Sequence, residues 1–415
     1  MEYYPRKLEE EIDKFMKRKE IIVIKGPRQA GKTTLLRHFE EKYGGKYITL
    51  EDMDVKREFE RNPKEFIRRY QKNKILYIDE IQYSKKAGKI LKLIYDLYSE
   101  KIKLVVTGSG SFDIKVPVGA YLVGRCVYFE LFPLDFEEFI SWKSKDLLPF
   151  IREAKRFLIE AISGEAKDIY EIPFEREFYS LFSEYLKFGG MPAVAKEEDE
   201  KIKKEILKNI ILTYLERDVS FFFDIRDTDK FMSFAKYLVY KIGKVLNLSS
   251  ASSDLGISYK TLSNYFSILK YTYFFFNVKP FFRNPIKEIK KARKIYFLDQ
   301  GLANSILNDF RDFEDRYNKG EIIENFIFNE LRRNLKDFEI KYWRTKEKTE
   351  VDFVLEKGGE LIPIEVKTLK SKITPGLKLF IKEYSPKAAI VINLREVKME
   401  RYKNTLVYYV KPYYF

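Results

Sequence analysis

The stretch IIVIKGPRQAGKTTLL, Ile21 to Leu36, constrains this chain more than any other part of it. An apolar run leads into Gly26, and Gly31-Lys32-Thr33 follow at the spacing G-x-x-x-x-G-K-[ST]. A loop of this kind needs glycine so that backbone N–H groups can wrap phosphates, a lysine to reach the outer phosphates and a hydroxyl on Mg²⁺. Lys32 and Thr33 fill the last two roles. Ile21 to Ile24 is predicted to be a buried strand, and Thr33 to Tyr43 a helix whose positive amino-terminal end faces the anion. Gly26, Pro27, Arg28, Gln29, Ala30, Gly31, Lys32, Thr33 and Thr34 then form the cradle for ATP or ADP.

Binding a nucleotide is not hydrolysing it, which requires a second, acidic strand to hold Mg²⁺ and orient water. Ile75-Leu76-Tyr77-Ile78-Asp79-Glu80 has that character. Its apolar residues suit a strand covered on both faces. Asp79 is expected to reach the metal, and Glu80 to polarise the attacking water. A third apolar run, Leu104-Val105-Val106, ends in Thr107-Gly108-Ser109-Gly110-Ser111. Its small polar groups suit sensing of a terminal phosphate and suit a plain turn equally well.

The 415 residues leave room for about three domains of ordinary size. A hydrophobic content of 45%, with 16% aromatic, is ample for several packed cores. No run of about 18 uncharged apolar residues occurs, and MEYYPRKLEEEIDKF has no apolar signal region, so the expectation is a cytoplasmic protein without a membrane span. Cys126 is the only cysteine and His38 the only histidine. Disulfides, Cys/His zinc sites and most histidine-based triads are thereby excluded, and any metal must sit on oxygen.

The net charge is +15, unevenly spread. Between Asp229 and Gln300 stand thirteen Lys or Arg residues against four acids. Such a block suits a polyanion, because neutralised phosphates release condensed counterions. Within it, Leu248 to Leu255, the turn Gly256-Ile257-Ser258 and the apolar spacing of Leu262, Tyr265, Phe266 and Leu269 predict a helix-turn-helix. A β-rich Tyr271 to Val278 and the basic Lys279 to Lys294 follow, resembling the wing of a winged helix. Tyr259, Lys260, Ser263 and Asn264 are then expected to face DNA. Upstream, Phe132 to Asp218 reads as mostly helical, a lid and connector, with Glu216, Arg217 and Asp218 either a relay of nucleotide state between domains or, as the simpler reading, an exposed charge cluster.

A second constellation lies in the last third. Glu321 to Leu335 is predicted to be a helix, and Glu350 to Leu355 and Glu360 to Thr368 two strands. Side chains alternate along a strand, so Glu365 and Lys367 share one face beside a neighbouring Asp352. Two carboxylates and a lysine suit Mg²⁺ on oxygen ligands, with Asp352 and Glu365 as metal ligands and Lys367 offsetting charge at an attacked phosphate.

GPRQAGKTT, LYIDEIQ, VTGSGS, Gly124-Arg125 and LFPLDFEEF resemble the AAA+ class of P-loop ATPases, in particular an archaeal and bacterial branch. Members of that branch typically carry a conserved domain of unknown function, DUF4143, behind the ATPase. The resemblance implies an arginine-finger position, matched here by Arg125, on its own or a neighbouring nucleotide. That leaves a homo-oligomer possible. Asp352, Glu365 and Lys367 resemble the PD-(D/E)xK nuclease superfamily, although no proline precedes Asp352, and Glu324 matches the helix acid of many members.

The expected architecture is α/β: a P-loop AAA+ parallel sheet over 1–131, a helical lid over 132–228, a winged helix over 229–283 and a restriction-endonuclease-like α/β domain over 284–415. Its catalytic candidates are Lys32, Glu80, Arg125, Glu324, Asp352, Glu365 and Lys367, and its metal ligands Thr33, Asp79, Asp352 and Glu365. Two functions stay open. One is an ATPase that binds DNA and carries a nucleotide-controlled, Mg²⁺-dependent nuclease; the other is a nucleotide switch whose nuclease-like domain is an inactive docking surface.

Overall fold

The computed structural model describes residues 3–109, 121–284, 288, 292–368 and 372–415. Gly110 and Ser111 of the third loop, and Lys287, Lys290 and Lys291 of the basic block, lie outside them.

The first unit is built on strands β1 (Ile21–Lys25), β2 (Lys46–Thr49), β3 (Ile75–Asp79), β4 (Lys103–Gly108) and β5 (Cys126–Glu130), with helices α1 (Leu8–Met16), α2 (Lys32–Tyr43), α3 (Met53–Arg61), α4 (Pro63–Tyr70) and α5 (Ala87–Tyr98). The strands are all parallel in the order β2-β3-β4-β1-β5. β1 is apolar throughout because both its faces are covered. Ile21 and Val23 pack with Phe59, Phe66, Leu91 and Ile94 of α3 to α5, whereas Ile22 and Ile24 pack with Leu8 and Ile12 of α1 and Leu35, Leu36 and Phe39 of α2. The result is a three-layer α/β sandwich whose strands all end on the edge that carries the Gly26–Thr33 loop.

Helices α6 (Phe136–Lys143), α7 (Leu148–Ser163), α8 (Glu175–Phe188), α9 (Pro192–Ala195) and α10 (Glu200–Thr213) follow. Asp135 and Glu138 close a capping box on α6, and Asp199 caps α10 by accepting from Lys201 N and Ile202 N. α10 runs into a π-helical segment, Tyr214–Phe222. Next come α11 (Thr228–Tyr240), α12 (Leu248–Leu255) and α13 (Tyr259–Tyr271). Gly256 takes the left-handed conformation (φ 63°) that lets α12 stop sharply before Ser258 caps α13.

The second sheet has eight strands in the order β12-β13-β11-β10-β9-β8-β6-β7: β6 (Phe275–Pro280), β7 (Lys294–Phe297), β8 (Glu339–Arg344), β9 (Glu350–Lys357), β10 (Glu360–Val366), β11 (Ala388–Ile392), β12 (Lys398–Tyr402) and β13 (Thr405–Val410). α14 (Gln300–Leu307) packs against α8, α10 and α11, whereas α15 (Lys319–Asn334) and α16 (Pro375–Tyr384) pack on this sheet. β6 and β7 form an antiparallel hairpin after α13, and Ile242 and Val245 bridge to β7 from the α11–α12 connection. The boundary expected between residues 283 and 284 therefore falls inside this hairpin, which is also the edge of the sheet. One buried apolar cluster runs from Leu134 through the helices to Phe415. The helices after β5 thus share their core with the second sheet. No helix among the described residues is long and apolar enough to cross a membrane.

Candidate nucleotide and carboxylate sites

The loop between β1 and α2 is shaped by its glycines. A Cβ on Gly26 would lie 2.0 Å from Leu131 O, and Gly31 sits at φ 97° at the head of α2. Lys32 is buried, and its Nζ donates to Gly26 O at 3.1 Å and Pro27 O at 2.8 Å, folded back on its own loop. Burial pushes its pKa down, and Glu80 and Asp79 oppose that. Thr33 Oγ1 donates to Asp79 Oδ2 at 2.6 Å, so the loop hydroxyl and the strand-end carboxylate meet directly. Tyr47 OH donates to the same oxygen at 2.8 Å, and Thr107 Oγ1 to Asp79 Oδ1. Of the two readings of Thr107, the structure adds a direct bond to Asp79. Tyr47, on the neighbouring strand β2, escapes any motif.

Glu80 follows Asp79 with φ 54°, a left-handed conformation that costs a non-glycine residue about 1 kcal/mol and tends to persist at functional sites. That turn aims it beside Lys32, and burial raises its pKa. Gln82 Nε2 donates to Glu80 Oε2 and so orients the carboxylate. Thr33 and Asp79 are hard oxygen donors next to the phosphate cradle, which is the set Mg²⁺ takes.

Arg28, in the loop, is an unforeseen hinge of the site. Its Nε donates to Asp218 Oδ2 from the π-helical segment, and Asp218 is only 2% exposed. The expected exposed cluster is thus divided: Glu216 and Arg217 are exposed, and Asp218 is inside. The nine-residue π-helical run rotates side chains out of α-helical register, and nothing in the local sequence announces it.

Arg125 lies elsewhere. The β1–β5 register sets Ile21 opposite Cys126, so Arg125 stands at the opening edge of the sheet, roughly 13 Å of strand away from its own loop. Its Nε pairs with Asp96 Oδ1 at 2.7 Å. This arrangement keeps it from the nucleotide of its own chain.

The second sheet brings the other candidates together. β9 and β10 are antiparallel with Phe353 opposite Ile364, which sets Asp352 beside Glu365. Asp352 Oδ2 accepts from Val366 N at 2.8 Å, and Lys367 Nζ lies 2.8 Å from Glu365 Oε1 and 3.9 Å from Asp352 Oδ2. Glu324 arrives from α15. Two residues not expected here complete the group: Lys294 and Tyr296 of β7. Lys294, 1% exposed, pairs with Glu324 Oε1 at 3.2 Å and Asp352 Oδ1 at 3.7 Å. Tyr296 OH donates to Glu324 Oε1 at 2.6 Å. Their only sequence signal is the period of two in KIYF, which places Lys294 and Tyr296 on one face.

Burial pushes the Glu365 carboxyl up to about 8 and the Glu324 carboxyl to about 7, with Asp352 adding to both and Lys294 opposing it at Glu324. Glu365 Oε2 is buried with no hydrogen-bond partner among the described residues. Asp352 and Glu365 fit a Mg²⁺ ion, since that orphan oxygen is an acceptor a hard cation satisfies and Mg²⁺ commonly takes two carboxylates and keeps its waters. No cluster of three or more His, Cys, Asp or Glu side chains able to hold a metal occurs among the described residues. Glu324, the third carboxylate, is turned to Lys294 and Tyr296 instead.

Residues 18–140 match the family described as AAA domain. The chain carries an AAA-type ATPase domain. Residues 179–312 match a domain of unknown function, DUF8612, and residues 319–413 match another, DUF4143. The DUF4143 match thus begins at α15, and a different family covers the helix-turn-helix. An uncharacterized protein of Methanocaldococcus jannaschii is 28% identical over 83% of this chain and 74% of its own length. An uncharacterized protein of Haemophilus influenzae is 24% identical over 83% of the chain and 82% of its own. Among solved structures, the Signal Transduction ATPase with Numerous Domains (STAND) protein with a tetratricopeptide repeat sensor from Pyrococcus horikoshii aligns over 80% of the chain at 11% identity with a TM-score of 0.28. The chain spans less than half of that protein, 46%.

Proposed function

We propose that this protein is an ATP-driven, DNA-acting switch with a Mg²⁺-dependent phosphodiester-cleaving site in its C-terminal domain. In this reading residues 1–131 hydrolyse ATP, 132–228 connect, the helices α11 to α13 within 229–283 bind DNA, and 284–415 cleave it. The observation that carries it is the gathering of Asp352, Glu365 and Lys367 from β9 and the end of β10, with Glu324 of α15 joined to Asp352 through Lys294. Mg²⁺ bound by Asp352 and Glu365 would supply an activated water and neutralise phosphate charge. Lys367, paired with Glu365 and partly exposed, would place an ammonium beside the attacked phosphate. In the other half, Glu80 polarises the water and Lys32 unfolds from its loop carbonyls onto the outer phosphates.

Cleavage of labelled duplex, single-stranded and branched DNA with Mg²⁺ or Mn²⁺, with and without ATP, tests this. The native chain is expected to cut and Lys367→Ala not to, with ATP hydrolysis equal in both. Lys294 favours a second reading, in which the domain docks DNA or protein without cutting. A buried ammonium already neutralises part of the acidic group, as a structural ion network does. Absence of any cut under every metal would select it.

A further inference from the structure

We propose that Asp218 is the nucleotide sensor of this chain: it holds the loop residue Arg28 where no phosphate is bound, and an arriving phosphate group takes Arg28 away from it. The inference rests on the nucleotide-binding part of the reading above and is independent of DNA cleavage.

Four features of the structure point this way. Arg28 belongs to the phosphate-binding loop, yet its partner comes from a segment almost two hundred residues later, and both side chains are largely shielded, at 13% and 3% exposure. Second, the pair is incomplete. A carboxylate and a guanidinium can share two parallel bonds, but here only Nε to Oδ2 is made, and Arg28 Nη2 and Asp218 Oδ1 are both buried without partners among the described residues. A donor in the loop is therefore unsatisfied, and a phosphate oxygen is what such a loop is built to receive. Third, Asp218 is a carboxylate set among Lys32 and Arg28, so an incoming triphosphate competes with it for both cations and repels it. Fourth, Asp218 lies on the π-helical segment, and that segment is tied to α13 and the turn that leads from it into the next strand: Tyr214 OH bonds Thr272 Oγ1 at 2.7 Å at the end of α13, and its ring stacks on Phe274 at 4.0 Å. Arg217 makes a second, exposed contact to Glu51 beside β2 at 3.0 Å.

A phosphate that captures Arg28 leaves Asp218 a buried, unpaired carboxylate. That state is relieved by moving the segment away from the loop, and Tyr214 carries the movement to α13. Linkage makes the coupling reciprocal: by whatever factor the latch weakens nucleotide binding, nucleotide weakens the latch.

The test compares the full chain with Asp218→Asn, Arg28→Gln and the double variant, using a fluorescent ATP analogue and hydrogen exchange. Asp218→Asn is expected to bind the analogue roughly tenfold more tightly, the scale of one charged pair released. Arg28→Gln is expected to bind it more weakly, and the double variant to match Arg28→Gln. In the native chain, ATP should speed exchange of amides 214–222, and Asp218→Asn should show the fast exchange without nucleotide. A purely structural ion pair predicts the reverse, weaker binding in Asp218→Asn. Weaker or unchanged binding overturns the proposal, as does exchange over 214–222 that ATP leaves alone, a measurement that needs no variant. A native chain that binds no analogue overturns the nucleotide reading as well.

Discussion

Half-buried Glu80 and buried Glu365 are both carboxylates with raised pKa values, but their surroundings give them different chemistry. Glu80 stands next to Lys32 in a strained turn, and a neutral isostere there keeps the turn while losing the base. Glu80→Gln is expected to lower ATP turnover by about 10²-fold or more and leave nucleotide affinity within about threefold, read by a phosphate-release assay beside equilibrium binding. Glu365 shows its environment in stability instead. Its folded pKa of about 8 exceeds the unfolded value of 4.5, so the folded state holds the extra proton between those values. Stability is then full below about pH 4.5 as far as this group is concerned and is lost as pH rises through about 8. Thermal unfolding without added metal should therefore show a lower Tm at pH 8 than at pH 6. Glu365→Gln should remove most of that slope and be more stable than the native chain at pH 8 by about 2 kcal/mol. At this scale the sequence was legible where a motif fixes spacing, as in Lys32, Thr33, Asp79 and Glu80. It assigned no role in the site to Lys294 and set Asp218 at the surface, because each reaches its partner through a tertiary contact that no local pattern encodes.

Among the elements, the strands were readable because burial on both faces leaves unbroken apolar runs, as in Ile21–Lys25 and Ile75–Asp79. The predicted ends differ by a residue or two, and α12 matches the predicted Leu248 to Leu255. The π-helical run after α10 was not readable, since α and π turns share one side-chain composition and differ only in which carbonyl each N–H meets. The hairpin β6–β7 also serves two neighbours at once. It follows the three helices α11 to α13, and its strand β7 delivers Lys294 to Glu324. Removing the ammonium strands a buried carboxylate, so Lys294→Met should cost about 3 kcal/mol in chemical denaturation. Lys294→Met with Glu324→Gln should recover most of it, because the pair is then replaced rather than broken. A recovery of less than about 1 kcal/mol would mean that Lys294 acts mainly through Asp352.

Across the whole molecule, the surplus of positive charge is partly paired with acids, inside and at the surface. Lys294 is buried in the carboxylate group, Lys230 pairs with Asp227 at 2.7 Å and Lys244 with Glu321 at 3.3 Å. Lys236, Lys260, Lys270 and Lys279 stand exposed on or beside the three helices and the hairpin. Tyr259, Lys260 and Asn264 share the exposed face of α13, while Leu262, Tyr265, Ile268 and Leu269 hold its other face in the core. A helix fixed from behind and basic in front can approach phosphates without unfolding anything. If that face meets duplex DNA, binding should weaken steeply with salt, since each neutralised phosphate adds roughly 0.9 to the slope of log affinity against log salt. Lys260→Ala should lower the magnitude of that slope by about one and weaken binding to every sequence alike, as expected of a phosphate contact, whereas Asn264→Ala should discriminate between sequences if it reads a base edge. Titrations at several salt concentrations on two unrelated duplexes separate these outcomes, and a slope near zero would place the basic face away from nucleic acid altogether.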